Sequence, residues 1–136
     1  MAGGIAASRG SLLDTSVLVA GPDAGASLPA TAAISVVSVG ELHAGVRLAR
    51  DEHTRKARVA RLEAVRRAFA ALPVDEHVAE WYGEVLAVAR RQGRTAKATD
   101  ILIVATAAAH GRELVTLDRG QASLATAAGI AVAAGQ

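Results

Sequence analysis

Short apolar runs and longer amphipathic stretches alternate along the chain, and each type predicts a different element. The short runs cover residues 11–14, 34–37, 113–117 and 129–133. They are largely apolar or β-branched throughout, which is typical of strands buried on both faces of a parallel sheet. Residues 15–20 either continue the first run or begin a helix. A break is expected at residues 21–23 and a loop over residues 25–31, where Gly and Pro recur.

The longer stretches repeat their apolar residues every three or four positions, which predicts amphipathic helices. Ser38 and Glu41 have the spacing of a capping box and predict a helix from there to about Arg50. Thr99 is predicted as the N-cap of a very apolar helix that Gly111 closes. The other predicted helices span residues 51–72, 78–93 and 121–128.

The alternation of strands and helices indicates an α/β fold. We expect a parallel sheet of about four to five strands, with helices on both faces because the strands are apolar on both sides. The length of 136 residues suits one domain. That domain is expected over residues 11–136, with residues 1–10 as an N-terminal extension.

Composition excludes several kinds of site. The chain has no cysteine, so disulfides and thiolate metal sites are excluded. None of its four histidines forms a pair with zinc-ligand spacing. Aromatic residues make up only 2%, too few for a platform that stacks nucleic-acid bases. No apolar run reaches the roughly 18 residues of a membrane span and the N-terminus is a poor signal peptide, so a cytoplasmic protein without a membrane partner is expected.

Four acidic residues occupy comparable places in the predicted fold. Asp14 and Asp118 each follow a strand, whereas Glu41 and Asp100 lie near the starts of helices. Each could be structural when taken alone, as a helix cap or a turn former. In an open parallel sheet, however, residues at these places collect at one edge, which is where such folds bind ligands. We therefore expect the four carboxylates to converge.

Converging carboxylates repel one another, which raises their pKa values, and a bound cation removes the repulsion. Ligation by carboxylates alone favours a hard ion, Mg²⁺ or Mn²⁺. Such ions orient a water and stabilise the leaving oxygen in an in-line displacement. Hydrolysis of a phosphodiester bond is a reaction that uses all of these features.

Four segments of the chain resemble, in family order, the motifs of VapC-type PIN-domain toxins. The segments are residues 12–18 (LLDTSVL), 34–42 (ISVVSVGEL), 99–107 (TDILIVATA) and 114–118 (LVTLD). The resemblance extends from residue 12 to about residue 132 and implies a three-layer PIN-like fold. One departure follows the fourth motif, where the family often has an acid and then Phe but this chain has Gly120 and Gln121.

The resemblance implies an endoribonuclease that cuts structured RNA such as tRNA or rRNA. It also implies a Mg²⁺ or Mn²⁺ cofactor, a homodimer, and a cognate VapB-like antitoxin that blocks the site. Carried over by motif, Asp14, Glu41, Asp100 and Asp118 form the acidic site. Ser16 and Thr116 match positions whose hydroxyls often assist it.

Basic residues are clustered although the formal net charge is only +2. Arg47, Arg50, Arg58 and Arg61 could flank the acidic site and hold an RNA backbone, or could equally be a solvated helix surface. Lys97, three residues before Asp100, is the better single candidate for a phosphate contact.

Other functions fit parts of the pattern. A haloacid-dehalogenase-type phosphatase also begins with a strand ending in Asp, but its second acid would stand where this chain has Ser16. A receiver-like signalling domain needs an acidic pair near the first strand, and no acid precedes Asp14 there. A degenerate PIN domain that binds RNA or a partner without cutting stays open, because only an activity assay separates it from a nuclease.

Overall fold

The fold is built on one parallel sheet of five strands in the order β3-β2-β1-β4-β5. The structure is a computed structural model and describes residues 10–20 and 31–133. The strands are β1 (Ser11–Leu13), β2 (Ala32–Ser35), β3 (Ala70–Leu72), β4 (Glu113–Val115) and β5 (Val132–Ala133). The helices are α1 (Thr15–Ala20), α2 (Val36–Arg47), α3 (Glu52–Ala68), α4 (Glu76–Arg91), α5 (Ala98–Ala109) and α6 (Arg119–Ala127).

The strand order places a topological switch point between β1 and β4. From β1 the chain adds β2 and then β3 on one side, and it later returns to add β4 and β5 on the other. All neighbouring strands pair in parallel, with Leu13 aligned to Ile34 on one side and to Val115 on the other. Ligands bind outside the carboxyl ends of the strands at such a point. A functional site is therefore expected at the residues directly after β1 and β4.

Helices cover both faces of the sheet, as the apolar strands predicted. Leu12 and Leu13 are fully buried and, as neighbours in a strand, point to opposite faces. Leu12 belongs to a core shared with α4, α5 and α6, and Leu13 to a core shared with α1, α2 and α3. The result is the predicted three-layer α/β fold.

The predicted capping box at Ser38 and Glu41 is wrong. Helix α2 begins at Val36, and its N-cap is Ser35, whose side chain accepts a hydrogen bond from the backbone N–H of Val37 at 3.0 Å. Ser35 has the extended backbone (φ −84°, ψ 146°) that an N-cap requires. Ser38 is instead buried within the helix, and Glu41 lies beyond its first turn.

Strand β3 was missed within the stretch predicted as one helix over residues 51–72. Helix α3 ends at Ala68, and β3 follows as an edge strand that pairs with β2. Two of its three residues are exposed alanines, which carry no strand signal. The pairing is decided by the partner strand rather than by the local sequence.

Two smaller predictions also need correction. Helix α5 has Lys97 as its N-cap instead of Thr99. The last helix, predicted over residues 121–128, is α6 and begins at Arg119, with Asp118 as its N-cap. The predicted N-terminal extension, apart from Gly10, and the predicted break and loop over residues 21–30 lie outside the described residues. None of the helices in the described ranges combines the length and apolar character needed to cross a membrane.

Candidate carboxylate site

Asp14 lies at the carboxyl end of β1 and is only 5% exposed. Its backbone N–H donates to the carbonyl of Val115 at 2.8 Å and so extends the β1–β4 pairing by one residue. The hydroxyls of Ser16 and Thr116 donate to Oδ2 at 2.6 and 2.8 Å, and Nε2 of Gln121 donates to Oδ1 at 3.3 Å. Because each of its oxygens has a donor, the orientation of this buried carboxylate is determined.

The two hydroxyls join the segments that follow β1 and β4. Ser16 Oγ and Thr116 Oγ1 lie 3.2 Å apart. The backbone N–H of Leu117 donates to Ser16 Oγ, and that of Asp118 donates to Thr116 Oγ1, both at 3.0 Å. Both residues predicted to assist the acidic site therefore hold Asp14 and connect the two strand ends.

Glu41 is oriented by a hydroxyl that the sequence analysis did not single out. Thr15 Oγ1 donates to Glu41 Oε1 at 2.6 Å and also lies 2.7 Å from Ser38 Oγ. Since the single hydroxyl hydrogen of Thr15 is directed at Glu41, Ser38 must be the donor in the second bond. A buried serine in α2 thus supports the group that positions Glu41. The one available signal for Thr15 was its place directly after Asp14.

Gln121 is the second residue that the sequence analysis missed. Its side chain is 4% exposed, and Nε2 donates both to Asp14 and, at 3.1 Å, to the backbone carbonyl of Asp100. Asp118 Oδ1 accepts from the backbone N–H of Gln121 at 3.0 Å, which caps α6. One amide group therefore connects the end of β1 to the first turn of α5. The departure from the family motif at residue 121 was the only indication.

Asp100 is the one of the four predicted acids whose pKa is shifted by the other three. The pKa of Asp100 is raised chiefly by partial burial and then by the negative charges of Asp14 and Glu41, with a smaller contribution from Asp118. The ammonium group of Lys97 opposes the shift. Asp14 and Asp100 lie on the same side of the domain, because Nε2 of Gln121 donates both to the Asp14 carboxylate and to the backbone carbonyl of Asp100. Among the described residues, no three carboxylate or imidazole groups have the arrangement of an assembled metal centre.

The chemistry of the donors nevertheless fits a hard divalent cation. All four side chains offer carboxylate oxygens, the ligands that Mg²⁺ and Mn²⁺ prefer. Burial is the main cause of the raised pKa of Asp100, and the negative charges of Asp14, Glu41 and Asp118 add a repulsion that a cation would relieve. Asp118 is exposed and uses one oxygen as a helix cap. Asp14 accepts two hydrogen bonds at Oδ2 and one at Oδ1, which leaves a lone pair of Oδ1 free for a cation.

The arginines that the sequence analysis grouped together separate in the structure. Nη1 of Arg58 donates to the carbonyl of Gly45 at 2.7 Å, near the end of α2, and Arg61 donates to the carbonyl of Val19. These two arginines and Glu41 line a cavity of about 350 Å³. The other two, Arg47 and Arg50, are exposed and do not line it. Lys97 is exposed at the start of α5 and lines a different cavity, of about 310 Å³.

Comparisons with known proteins place the chain among others of this architecture. The family model described as "PIN domain" matches residues 11–127. Ribonuclease VapC8 of Mycobacterium tuberculosis is 42% identical over 100 residues, covering 71% of this chain and 88% of that protein. Ribonuclease VapC5 of the same species is 32% identical over 126 residues, covering 89% and 92%.

Solved structures agree with these sequence comparisons. The crystal structure of VapBC-5, a member of the VapBC family of toxin–antitoxin systems from Mycobacterium tuberculosis, superposes with a TM-score of 0.77 at 34% identity, covering 85% of this chain and 90% of that one. FitAcB from Neisseria gonorrhoeae superposes with a TM-score of 0.74 at 30% identity, covering 90% and 95%.

Proposed function

This chain belongs to the PIN-domain family, and we propose that it is a VapC-type endoribonuclease, the toxin of a toxin–antitoxin pair. We further propose that it hydrolyses phosphodiester bonds of structured RNA such as tRNA or rRNA, and that it does so with Mg²⁺ or Mn²⁺. The two relatives that are 42% and 32% identical to this chain are named ribonucleases. The observation that carries the proposal is the amide of Gln121, whose Nε2 donates both to the Asp14 carboxylate and to the backbone carbonyl of Asp100 and so joins the end of β1 to the first turn of α5.

In this proposal the residues of the chain prepare a site for cation and phosphate. Asp14, Glu41, Asp100 and Asp118 would hold the metal ion. When bound, such an ion lowers the pKa of a water and stabilises a leaving oxygen. Ser16, Thr116 and Gln121 fix both oxygens of Asp14, and Thr15 fixes Glu41.

These fixed orientations matter because ligands that are already oriented lose less entropy on binding. Partners that hold a metal ligand typically contribute about 10- to 100-fold to metal affinity or activity. Asp118 differs from the other acids because Oδ1 is engaged in capping α6. We propose that Asp118 contacts the metal ion through a water or shares this role with another group, and that Asp14, Glu41 and Asp100 are the principal ligands.

We propose a VapB-like antitoxin as the protein partner, together with a homodimer in the cytoplasm. The solved structure that is 34% identical to this chain, VapBC-5, is a member of the VapBC family of toxin–antitoxin systems. An arginine of the partner fits the chemistry of the carboxylate site, because its planar guanidinium pairs with carboxylates through two hydrogen bonds and replaces the cation.

Cleavage of labelled tRNA and rRNA by the purified protein tests the nuclease proposal. We expect cleavage with Mg²⁺ or Mn²⁺, none after chelation with EDTA, and none for Asp100→Asn. Asp51→Asn is the matched control, because Asp51 is an exposed N-cap of α3 and Asn caps helices equally well. Full activity after exhaustive chelation would contradict the metal-dependent mechanism. RNA binding without cleavage would identify a non-cutting PIN domain.

A further inference from the structure

A cavity of about 310 Å³ opens beside the carboxylate site, between the α4–α5 connection and the start of α6. Its lining includes two acids, Asp100 and Asp118, and two cations, Arg94 and Lys97. Ala96 and Leu124 add apolar surface. The volume is at the lower end of the range of about 300–1,000 Å³ for small-molecule sites. It therefore suits one nucleotide-sized group and excludes a duplex.

Neither cation in this cavity is neutralised by an acid of the described chain. Arg94 donates to Gln92 Oε1 at 2.8 Å and to Ser123 Oγ, which are both uncharged acceptors. The ammonium group of Lys97 makes no hydrogen bond or ion pair with any residue in the described ranges, although its charge acts on Asp100. Two positive charges thus line the cavity together with Asp100 and Asp118, and neither forms an ion pair with those acids.

The bonds of Arg94 also fix its position. Ser123 lies in α6 and Gln92 caps the end of α4, so the guanidinium joins the α4–α5 connection to α6 across the cavity wall. Arginine presents five donors, and the two side-chain hydrogen bonds of Arg94 use only Nε and Nη2. The other terminal nitrogen keeps its donors for a ligand. A guanidinium held in this way offers an oriented fork to a phosphate.

We propose that this cavity is a subsite for the nucleotide next to the cleaved bond, with Arg94 and Lys97 binding its non-scissile backbone phosphate. The inference rests on the proposed ribonuclease function. An RNA strand that presents one phosphate to Asp14 and Asp100 carries a second phosphate one nucleotide away. Arg94 and Lys97 offset the repulsion between that phosphate and the carboxylates of the cavity. Ala96 and Leu124 supply apolar surface for the sugar and base. The subsite sets the direction in which the strand crosses the site.

Binding of a short fluorescein-labelled single-stranded RNA of mixed sequence, measured by anisotropy in EDTA over a series of KCl concentrations, tests the subsite. Loss of one phosphate contact lowers the slope of log K against log salt by about 0.7 for a single strand. We expect that decrease for Lys97→Ala and for Arg94→Ala, with severalfold weaker binding. Arg91→Ala, which removes an exposed charge at the end of α4 outside the cavity, should leave the slope unchanged.

A second variant separates charge from structure. Ser123→Ala removes an acceptor of Arg94 but keeps both cations, so the slope should stay at the wild-type value even if the melting temperature falls. An unchanged slope for both Lys97→Ala and Arg94→Ala, or an equal decrease for Arg91→Ala, would overturn the subsite. If the wild type cleaves RNA but the cavity variants keep the full slope, only the subsite fails. If those variants show the smaller slope but the wild type does not cleave, the nuclease proposal fails and the cavity is a phosphate-binding site of a protein that binds RNA without cutting it.

Discussion

Replacing Thr116 by Val tests whether the hydroxyls around Asp14 hold it in place. Valine has nearly the same shape as threonine, so the change removes a hydroxyl without opening a cavity. It deletes the 2.8 Å bond to Asp14 Oδ2, and it leaves that buried carboxylate with Ser16 and Gln121 as donors. The backbone N–H of Asp118 also loses its acceptor, but Asp118 is exposed and water can replace it.

The expected loss of stability follows from the charge of the acceptor. A hydrogen bond to a charged group contributes about 1.5–3 kcal/mol to the free energy of unfolding, against about 0.5–1.5 kcal/mol for a neutral pair. Thr106 offers a matched control, because it is fully buried and its hydroxyl donates to the neutral carbonyl of Leu102 at 2.7 Å. We therefore expect Thr116→Val to be destabilised roughly twice as much as Thr106→Val.

Urea unfolding followed by circular dichroism at pH 7 in EDTA measures both variants. The same titration in excess Mn²⁺ should stabilise the wild type and Thr106→Val, and stabilise Thr116→Val less, because Asp14 is no longer held by both hydroxyls. If Thr116→Val loses no more stability than Thr106→Val in EDTA, the hydroxyl does not stabilise a charged Asp14. Equal stabilisation of all three proteins by Mn²⁺ would show that the orientation of Asp14 does not matter for the metal.

Three further outcomes are expected. The folded-state pKa of Asp100 lies above its ordinary value of 3.8, so the group destabilises the fold increasingly as pH rises through that range. Asp100→Asn should therefore melt higher than the wild type at pH 7 in EDTA, and the difference should vanish towards pH 3; a lower melting temperature at pH 7 would mean that the carboxylate is structural. Gln121→Leu should weaken Mn²⁺ binding about 10- to 100-fold in calorimetry, since it removes a group that orients a ligand, whereas Gln92→Leu, an exposed change, should not; equal affinities for the two variants would remove Gln121 from the site. Expression of the chain alone should arrest growth, and co-expression of the small protein encoded beside it should relieve the arrest in a complex; harmless expression of the wild type would count against a toxin.

The sequence alone determined the α/β class and predicted where a functional site should lie. Both depend on local patterns, because apolar runs and three- or four-residue spacing report which faces are buried whatever the partner is. Asp14 was located by the run that ends before it, and Asp100 by the apolar helix that follows it. Since parallel strands end at the same edge, their approach followed from topology without any knowledge of contacts.

The tertiary structure decided the features that depend on distant neighbours. Strand β3 exists because β2 offers unpaired backbone groups, and its alanines carry no signal of their own. Gln121 reaches Asp14 across a separation of 107 residues, and Arg94 reaches Ser123 across 29. A glutamine or arginine has the same local pattern whether it faces solvent or a buried carboxylate. The groups that orient the site became visible only when folding brought these segments together, because the energy of a hydrogen bond depends on a partner that the local sequence does not contain.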